Sequence, residues 1–406
     1  MNRNLRLASK LLSSSVLGQL AVLGAISVAA SGMDPADFAS YGVVTAASFL
    51  LASGNTLAAE LRSAVVDEPG AAALTRAGAS VALAIAGVVA LVGVALVGHH
   101  STTGWSLVLV AGCGLLLGLQ QLLTGLVLRE QRQELLARNR LVQAFTNALL
   151  ILASLATPMP AWVGLSLAWL ASLVAGNVVI VIALRRRLRH LGRPRVADLR
   201  LLLSEVKLQP VANLMASSAA QLPVLTLQAF GAATVVGAWA LVSRFLTPVV
   251  NTMVSTLQPI YYGRAAQLLR DGKVIALSGH HLRWMRRLLL AGIVVAVSVV
   301  IGVLWVLPLL GEEWDVARSV VVPAVLSFTV LFVCQPLSQT LVLLGRPNLQ
   351  FGWTATRLTL CAVPLLLQPW IGAQAALTTW AVMSALTFLS QLALHRRAIG
   401  ELRRPA

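Results

Sequence analysis

The chain has 406 residues, of which 58% are hydrophobic and only 11% are charged, and its formal net charge at pH 7 is +17. Soluble domains carry about 25% charged residues, so this composition excludes an ordinary soluble protein and indicates a membrane protein. The basic residues lie between apolar runs, which argues against a nucleic-acid-binding surface. We expect Cys113, Cys334 and Cys361 to act as small hydrophobic residues, because all three fall inside apolar runs.

Apolar runs long enough to cross a bilayer core of about 30 Å recur along the chain and predict twelve transmembrane helices. The predicted spans cover residues 11–31, 41–60, 78–98, 105–128, 141–157, 161–184, 208–230, 234–258, 288–309, 318–344, 351–370 and 373–394. The fold class is therefore an all-α polytopic membrane protein. The first run also resembles a secretory signal cleaved after Ser27-Val28-Ala29. We favour the uncleaved helix, because cleavage would leave the second helix without its partner.

The distribution of basic residues predicts that both termini are cytoplasmic and that the protein lies in the cell inner (plasma) membrane. With that orientation, the inner segments hold every lysine and arginine except Arg244, Arg318 and Arg357. The outer loops instead hold acidic residues, namely Asp34, Asp37, Glu312, Glu313 and Asp315. A missed or extra span would mix the two sets of loops, so this asymmetry supports the count of twelve.

A basic segment divides the predicted helices into six and six. We predict an N-terminal bundle over residues 1–184, a cytoplasmic linker over 185–207 and a C-terminal bundle with a short basic tail over 208–406. A weak repeat relates the halves, since Gly18-Gln19-Leu20-Ala21-Val22-Leu23 aligns with Ala220-Gln221-Leu222-Pro223-Val224-Leu225. An even number of spans in each half makes this repeat parallel.

The seventh and eighth spans carry a polar seam and a basic residue far from either membrane surface. The seam residues recur at helical spacings, and they are Asn213, Ser217, Gln221, Gln228, Arg244, Thr247, Asn251, Ser255 and Gln258. Arg244 lies about 15 Å inside its span, where a cation costs at least about 2.5–3.5 kcal/mol without a partner or ligand. It is our strongest candidate for a ligand contact, and a structural lock near Pro248 is the alternative.

Polar stripes on other spans have two interpretations. The stripes comprise Tyr41, Thr45, Ser48 and Asn55 in the second span and Ser327, Gln335 and Gln339 in the tenth. Such residues commonly form hydrogen bonds between helices, yet stripes on several spans together predict a hydrated central cavity. Arg357 is a second candidate ligand, or else its side chain snorkels to the inner interface about seven residues away.

Several kinds of chemistry have no residue pattern in this sequence. No Asp or Glu lies deep in a predicted span, although proton-driven transporters usually keep an intramembrane carboxylate. The sequence has no phosphate-binding loop, no His/Cys metal cluster, and no Ser–His or paired-carboxylate arrangement. We interpret His99-His100 and His280-His281 as solvated loop residues. We therefore expect neither an enzyme nor a protein that holds a metal or another cofactor.

Three sets of residues occur in a characteristic order along the chain. They are Gly18-Gln19 with Asp34-Pro35-Ala36-Asp37-Phe38-Ala39-Ser40-Tyr41, then Val236-Gly237-Ala238-Trp239-Ala240-Leu241-Val242-Ser243-Arg244, then Leu310-Gly311-Glu312-Glu313-Trp314 with Pro336-Leu337-Ser338 and Gly345-Arg346. This ordered set resembles the oligosaccharide flippases, of the polysaccharide-biosynthesis or O-antigen type, in the multidrug/oligosaccharidyl-lipid/polysaccharide exporter superfamily. Ala39 and Trp239 stand where that family usually has glycine and tyrosine.

The resemblance implies two six-helix bundles around a central cavity that opens alternately to each side of the membrane. It implies a flippase that moves a polyprenyl-diphosphate-linked glycan from the cytoplasmic to the outer leaflet, for cell-surface polysaccharide synthesis. Membrane lipids are implied partners, and a glycan polymerase and glycosyltransferases are further candidates. The alternatives are a multidrug exporter of the same fold and a non-transporting membrane scaffold for glycan assembly.

The predicted cavity needs residues that recognise a diphosphate and a sugar. An arginine fork binds phosphate oxygens through paired hydrogen bonds, whereas amides and an indole ring suit the sugar. The predicted substrate-binding residues are Arg244, Arg357, Gln19, Asn55, Gln221, Trp239, Asn251 and Gln335.

Overall fold

A computed structural model describes residues 3–63, 66–130, 132–192, 194–206, 208–338 and 340–402. The described chain is all-helical apart from its turns. The helices are α1 (Arg3–Ala30), α2 (Pro35–Asn55), α3 (Ala59–Ser63), α4 (Glu68–Val97), α5 (Ser101–Arg129), α6 (Gln133–Ser154), α7 (Ala161–His190), α8 (Val196–Val206), α9 (Gln209–Ala229), α10 (Ala233–Arg270), α11 (Val274–Val306), α12 (Val316–Cys334), α13 (Thr340–Leu343), α14 (Pro347–Leu366), α15 (Gln368–Ile371) and α16 (Ala373–Glu401). Short 3₁₀ turns cover Leu307–Leu309, Glu312–Trp314 and Gln335–Leu337.

The long helices coincide with the predicted spans. Each of the twelve predicted spans overlaps a helix of 19 to 38 residues. The second predicted span runs past the end of α2 at Asn55, and the tenth runs past the end of α12 at Cys334 into the turn Gln335–Leu337. Seven segments of the described chain are both long and apolar enough to cross a membrane, and they contain α2, α4, α5, α7, α11, α12 and α16. The protein is therefore an all-α, multi-pass membrane protein. The count of twelve and the orientation of the termini stay predictions.

Local sequence explains where several helices begin and end. Asp67 caps the start of α4, since its Oδ1 accepts a hydrogen bond from the Gly70 amide at 3.1 Å and a proline follows in the first turn. Gly231 separates α9 from α10 at a φ of 78°, a conformation that glycine adopts without a Cβ penalty. The break between the seventh and eighth predicted spans is therefore confirmed.

The first compact unit comprises Met1–Met33 and Asp37–Leu225. Within it α4 packs along α5, α6 along α7, and α1 along α6. Small residues allow these close approaches, because a Cβ placed on Gly104 would lie 2.6 Å from the Val97 backbone nitrogen. The packing of this unit therefore depends on glycine at the contact between α4 and α5.

A short amphipathic helix from the predicted linker docks on the first unit. Arg76 of α4 donates hydrogen bonds to Asp198 of α8 at 2.8 and 2.9 Å. Leu202 of α8 is fully buried in a cluster that also contains Leu74 and Leu122. These hydrogen bonds from Arg76 hold the pKa of Asp198 below its ordinary value, so the carboxylate stays charged at neutral pH.

The second compact unit comprises Asp34–Ala36 and Thr226–Ala406. Its core lies among α10, α11, α12, α14 and α16, and the largest buried side chains there include Tyr261, Phe332 and Trp314. This core also encloses polar groups and the charged side chain of Arg357.

Candidate functional site

The most unusual buried group is the guanidinium of Arg357 on α14. Its residue is 7% exposed, and its Nε atom is buried with no hydrogen-bond partner in the described part of the chain. Its Cζ atom lies 4.2 Å from the Phe388 ring centroid and 5.9 Å from that of Trp353. Aromatic faces attract a cation, but they leave the directional N–H donors unsatisfied. The site therefore suits an anionic ligand.

Arg357 lies far from the start of its helix. α14 begins at Pro347, so Arg357 is ten residues from that end, roughly 15 Å along the axis. The indole of Trp353 is itself fixed, since its Nε1 donates to the Thr387 carbonyl at 2.8 Å. The guanidinium therefore lies inside the second unit, and both the ligand and the snorkelling interpretations of Arg357 stay predictions.

The other candidates in the second unit occupy different environments. Arg244 is half-buried on α10. Trp239, one and a half turns earlier, is 4% exposed and packs against Trp380 and Phe328 at centroid distances of 5.4 and 6.3 Å. This ring is a core residue in the geometry described here. Gln335 is half-buried in a 3₁₀ turn, whereas the side chains of Asn251 and Gln339 lie outside the described residues.

The remaining candidates lie in the first unit. Asn55 is 1% exposed and donates a hydrogen bond from Nδ2 to the Gly114 carbonyl at 3.0 Å, which joins α2 to α5. Gly118 on α5 leaves room for this amide, because a Cβ there would lie 2.4 Å from Asn55 Oδ1. Gln19 on α1 and Gln221 on α9 are half-buried. The geometry therefore gives Asn55 a helix–helix role.

The polar stripes of the first unit mostly join helices. Gln120 donates to Gln143 at 3.1 Å, which joins α5 to α6, and Asn177 donates to the Leu116 carbonyl at 2.9 Å, which joins α7 to α5. The stripe on α2 is buried over Tyr41, Thr45, Ser48 and Asn55. Asn55 joins α2 to α5, whereas Thr45 and Ser48 donate to the Gly42 and Val44 carbonyls of α2 itself. The stripe is thus buried rather than exposed to a cavity.

Comparison with known structures identifies the fold. No protein-family model matches the chain, and no curated protein sequence matches it. An inward-facing multidrug resistance MATE family transporter of the MOP superfamily has a TM-score of 0.72 at 14% identity, with 98% of this chain and 99% of that chain covered. An outward-facing structure of such a MATE transporter has a TM-score of 0.65 at 14% identity, over 98% of this chain and 94% of that one. A MOP superfamily transporter from Pyrococcus furiosus has a TM-score of 0.62 at 15% identity, over 99% of this chain and 96% of that one.

The fold is that of the MOP-superfamily transporters. The matches extend over nearly the whole chain, so every helix described above belongs to this MOP fold. Their sequence identity is low, and the likeness therefore concerns architecture alone. The predicted exporter-superfamily architecture is confirmed at this level, while the oligosaccharide flippase family stays a prediction.

A buried polar cluster in the second unit of this MOP fold was missed by the sequence analysis. The Tyr261 hydroxyl lies 2.9 Å from both His281 Nδ1 and Thr340 Oγ1. The His281 and His395 rings lie 5.6 Å apart, and these residues are 2% and 0% exposed. The solvated-loop interpretation of His281 is therefore wrong. The spacing of Leu277, His281 and Leu288 on one helical face could have indicated this burial.

At one end of the first unit, arginines and glutamates form a network. Arg187 at the end of α7 pairs with Glu68 and with Glu130, the latter at 3.0 Å. Arg129 also pairs with Glu68, at 3.1 Å. These pairs are partly exposed and contribute modestly to stability, but they hold the ends of α4, α5 and α7 together. No group of three or more His, Cys, Asp and Glu side chains is arranged to hold a metal within the described ranges.

Proposed function

We propose that this protein is a transporter that flips an anionic, lipid-linked substrate, namely a polyprenyl-diphosphate-linked glycan, from the cytoplasmic to the outer leaflet. The observation that carries the proposal is the guanidinium of Arg357, buried at 7% exposure with an unsatisfied Nε. An unpaired buried cation costs several kcal/mol, and a bound anion would offset that cost. A diphosphate supplies both the charge and the acceptor oxygens that this group needs.

The surroundings of Arg357 suit the rest of such a substrate. Phe388 and Trp353 present aromatic faces beside the guanidinium, and sugars or isoprenoid chains pack on such faces. Half-buried Arg244 on α10 supplies a second cation in the same unit. Transport changes no covalent bond, so this function needs no catalytic residue. A glycan polymerase and glycosyltransferases would act before or after the flipping step.

A multidrug exporter is the second candidate, because two of the matching structures are described as multidrug resistance MATE transporters. Cationic drugs would be repelled by Arg357, which argues against this candidate. The Pyrococcus furiosus transporter is described as having a binding pocket whose reverse polarity suggests a different function. The MOP fold thus accommodates pockets of more than one polarity, which supports an anionic substrate here.

Ligand binding to the purified chain separates these candidates. Farnesyl diphosphate, farnesol and ethidium should be compared by the shift that each causes in the thermal unfolding of the full chain. The proposed function requires stabilisation by the diphosphate and none by farnesol or ethidium at equal concentration. Stabilisation by ethidium alone would instead support the exporter. No ligand effect, together with reduced glycan synthesis and no lipid-linked glycan left in the cytoplasmic leaflet of cells lacking the protein, would support a scaffold.

Variants connect that binding to transport. Arg244→Lys keeps the charge but loses the planar fork, so it should retain partial glycan export, whereas Arg244→Ala should retain very little. Losing charge-assisted hydrogen bonds costs about 1.5–3 kcal/mol, roughly a ten- to hundredfold loss in a binding constant. Depletion of the protein should leave the lipid-linked glycan in the cytoplasmic leaflet. Normal export by Arg244→Ala at normal membrane abundance would refute the predicted contact.

A further inference from the structure

A basic cavity lies on the first unit. It has a volume of about 540 Å³ and opens beside the carboxyl end of α7, the end that the sequence predicts to be cytoplasmic. Its lining residues are Glu130, Arg132, Ile182, Ala183, Leu184, Arg185, Arg186 and Arg187. Four guanidinium groups and one carboxylate give this cavity a strongly positive charge, so it favours an anion.

The arginines of this cavity differ in the ion pairs that they form and in their exposure. Arg187 pairs with Glu130 and Glu68, although its Nε is buried and has no partner in the described part of the chain. Arg132 lies 3.7 Å from Glu130 with a side chain that is 41% exposed. Arg185 and Arg186 are exposed. Arg132 also donates from Nη1 to the Ala183 carbonyl at 3.4 Å. Arg187 therefore positions the wall of the cavity, exposed Arg185 and Arg186 present donors to a ligand, and Arg132 adds charge beside them.

An apolar stripe leads from the cavity along the outside of α7. Val174, Val178 and Ile182 are 44%, 46% and 61% exposed, and their spacing of four residues places them on one face of the helix. Ile182 also lines the cavity. On a membrane-spanning helix, such a face contacts acyl chains, so the cavity and the stripe together match a molecule with an anionic head and an apolar tail.

We propose that the cavity lined by Arg132, Arg185 and Arg186 binds the headgroup phosphate of an anionic glycerophospholipid, with one acyl chain on the Val174–Val178–Ile182 stripe. Basic pockets between membrane helices bind anionic headgroups through their positive charge. The volume exceeds that of a lone phosphate, and the adjoining stripe favours a lipid over a free ion. This site goes beyond the proposed transport function and does not depend on it.

The test uses the full chain in nanodiscs of phosphatidylcholine with increasing phosphatidylglycerol. Retained phosphatidylglycerol is counted by native mass spectrometry after mild release, and thermal unfolding is followed in parallel. Each juxtamembrane arginine strengthens attraction to anionic lipid about fivefold, so the double variant Arg185→Gln/Arg186→Gln should weaken retention roughly twentyfold or more. The matched control is Arg286→Gln/Arg287→Gln, which removes two adjacent exposed arginines from α11.

Each outcome decides the proposal. Loss of retained phosphatidylglycerol in the α7 double variant, with normal retention in the α11 double variant, supports the site. Equal loss in both variants would show general charge attraction and overturn it. Equal stabilisation by inorganic phosphate or glycerol phosphate in pure phosphatidylcholine would show an anion site that needs no lipid, which also overturns it. Unchanged retention in both variants refutes it directly.

Discussion

Replacing Arg357 by methionine should stabilise the ligand-free protein and remove its proposed anion-binding site. Methionine has a similar length and packs well on aromatic rings, but it carries no charge. Burial of the guanidinium destabilises the folded protein by several kcal/mol, because the charge loses its hydration. Its contact with the Phe388 ring, at 4.2 Å from the ring centroid, offsets about 2 kcal/mol of that loss. The balance predicts that Arg357→Met raises the free energy of unfolding of the ligand-free protein by about 1–3 kcal/mol.

The same substitution should reduce ligand binding. Methionine donates no hydrogen bond, so the shift in unfolding temperature caused by farnesyl diphosphate should disappear in Arg357→Met. Arg357→Lys keeps the charge without the fork and should give an intermediate shift. The assay is thermal unfolding of the purified full chain with and without the diphosphate, followed by glycan export at matched membrane abundance.

An exposed arginine of the same unit provides the control. Arg318 pairs with Asp315 at 3.2 Å with its side chain 58% exposed, so Arg318→Met should change stability by less than about 1 kcal/mol and leave binding unchanged. The reasoning is refuted if Arg357→Met unfolds at a lower temperature than the wild type without ligand. That result would show that the guanidinium stabilises the fold. Normal binding of farnesyl diphosphate by Arg357→Met would equally exclude the proposed contact.

Three further predictions concern the rest of the chain. An impermeant thiol reagent should label His100→Cys only from outside and Arg189→Cys only from inside, and the reverse pattern would overturn the predicted topology. Because Arg76 holds the pKa of Asp198 below its ordinary value, docking of α8 should be complete above about pH 4 and weaken as the pH falls through that lowered value. Protection of the α8 amides against hydrogen exchange, relative to the unfolded chain at the same pH, should therefore be low at acidic pH in the wild type and already low at pH 7 in Asp198→Asn. Full protection in that variant would exclude this anchor. Asn55→Ala should lower stability by about 0.6–1.7 kcal/mol without changing diphosphate binding, and lost binding at unchanged stability would restore its predicted substrate role.

The sequence by itself determined the class and the positions of the long helices along the chain. Long apolar runs leave few alternatives in a bilayer, because every backbone group must form its hydrogen bonds within a helix. All twelve predicted spans therefore overlap long helices, and the break at Gly231 lies where predicted. Helical periodicity also identified which polar residues share a face, as for the stripe that contains Asn55 on α2. These properties depend on local composition and on the geometry of one helix.

Only the tertiary structure decided what each of those faces contacts. A polar face with the periodicity of the Asn55 stripe can either line a cavity or form hydrogen bonds to a neighbouring helix. In this structure α5 lies beside that face, and Asn55 donates a hydrogen bond to the Gly114 carbonyl. The place of Arg357 in its span does not show what its side chain contacts. The structure places the guanidinium beside the Phe388 and Trp353 rings, inside the second unit. His281 and His395 lie 114 residues apart in sequence, yet packing of α11 against α16 brings their rings to 5.6 Å. The physical reason is that burial and partnership depend on contacts between distant segments, which the pattern of one segment does not contain.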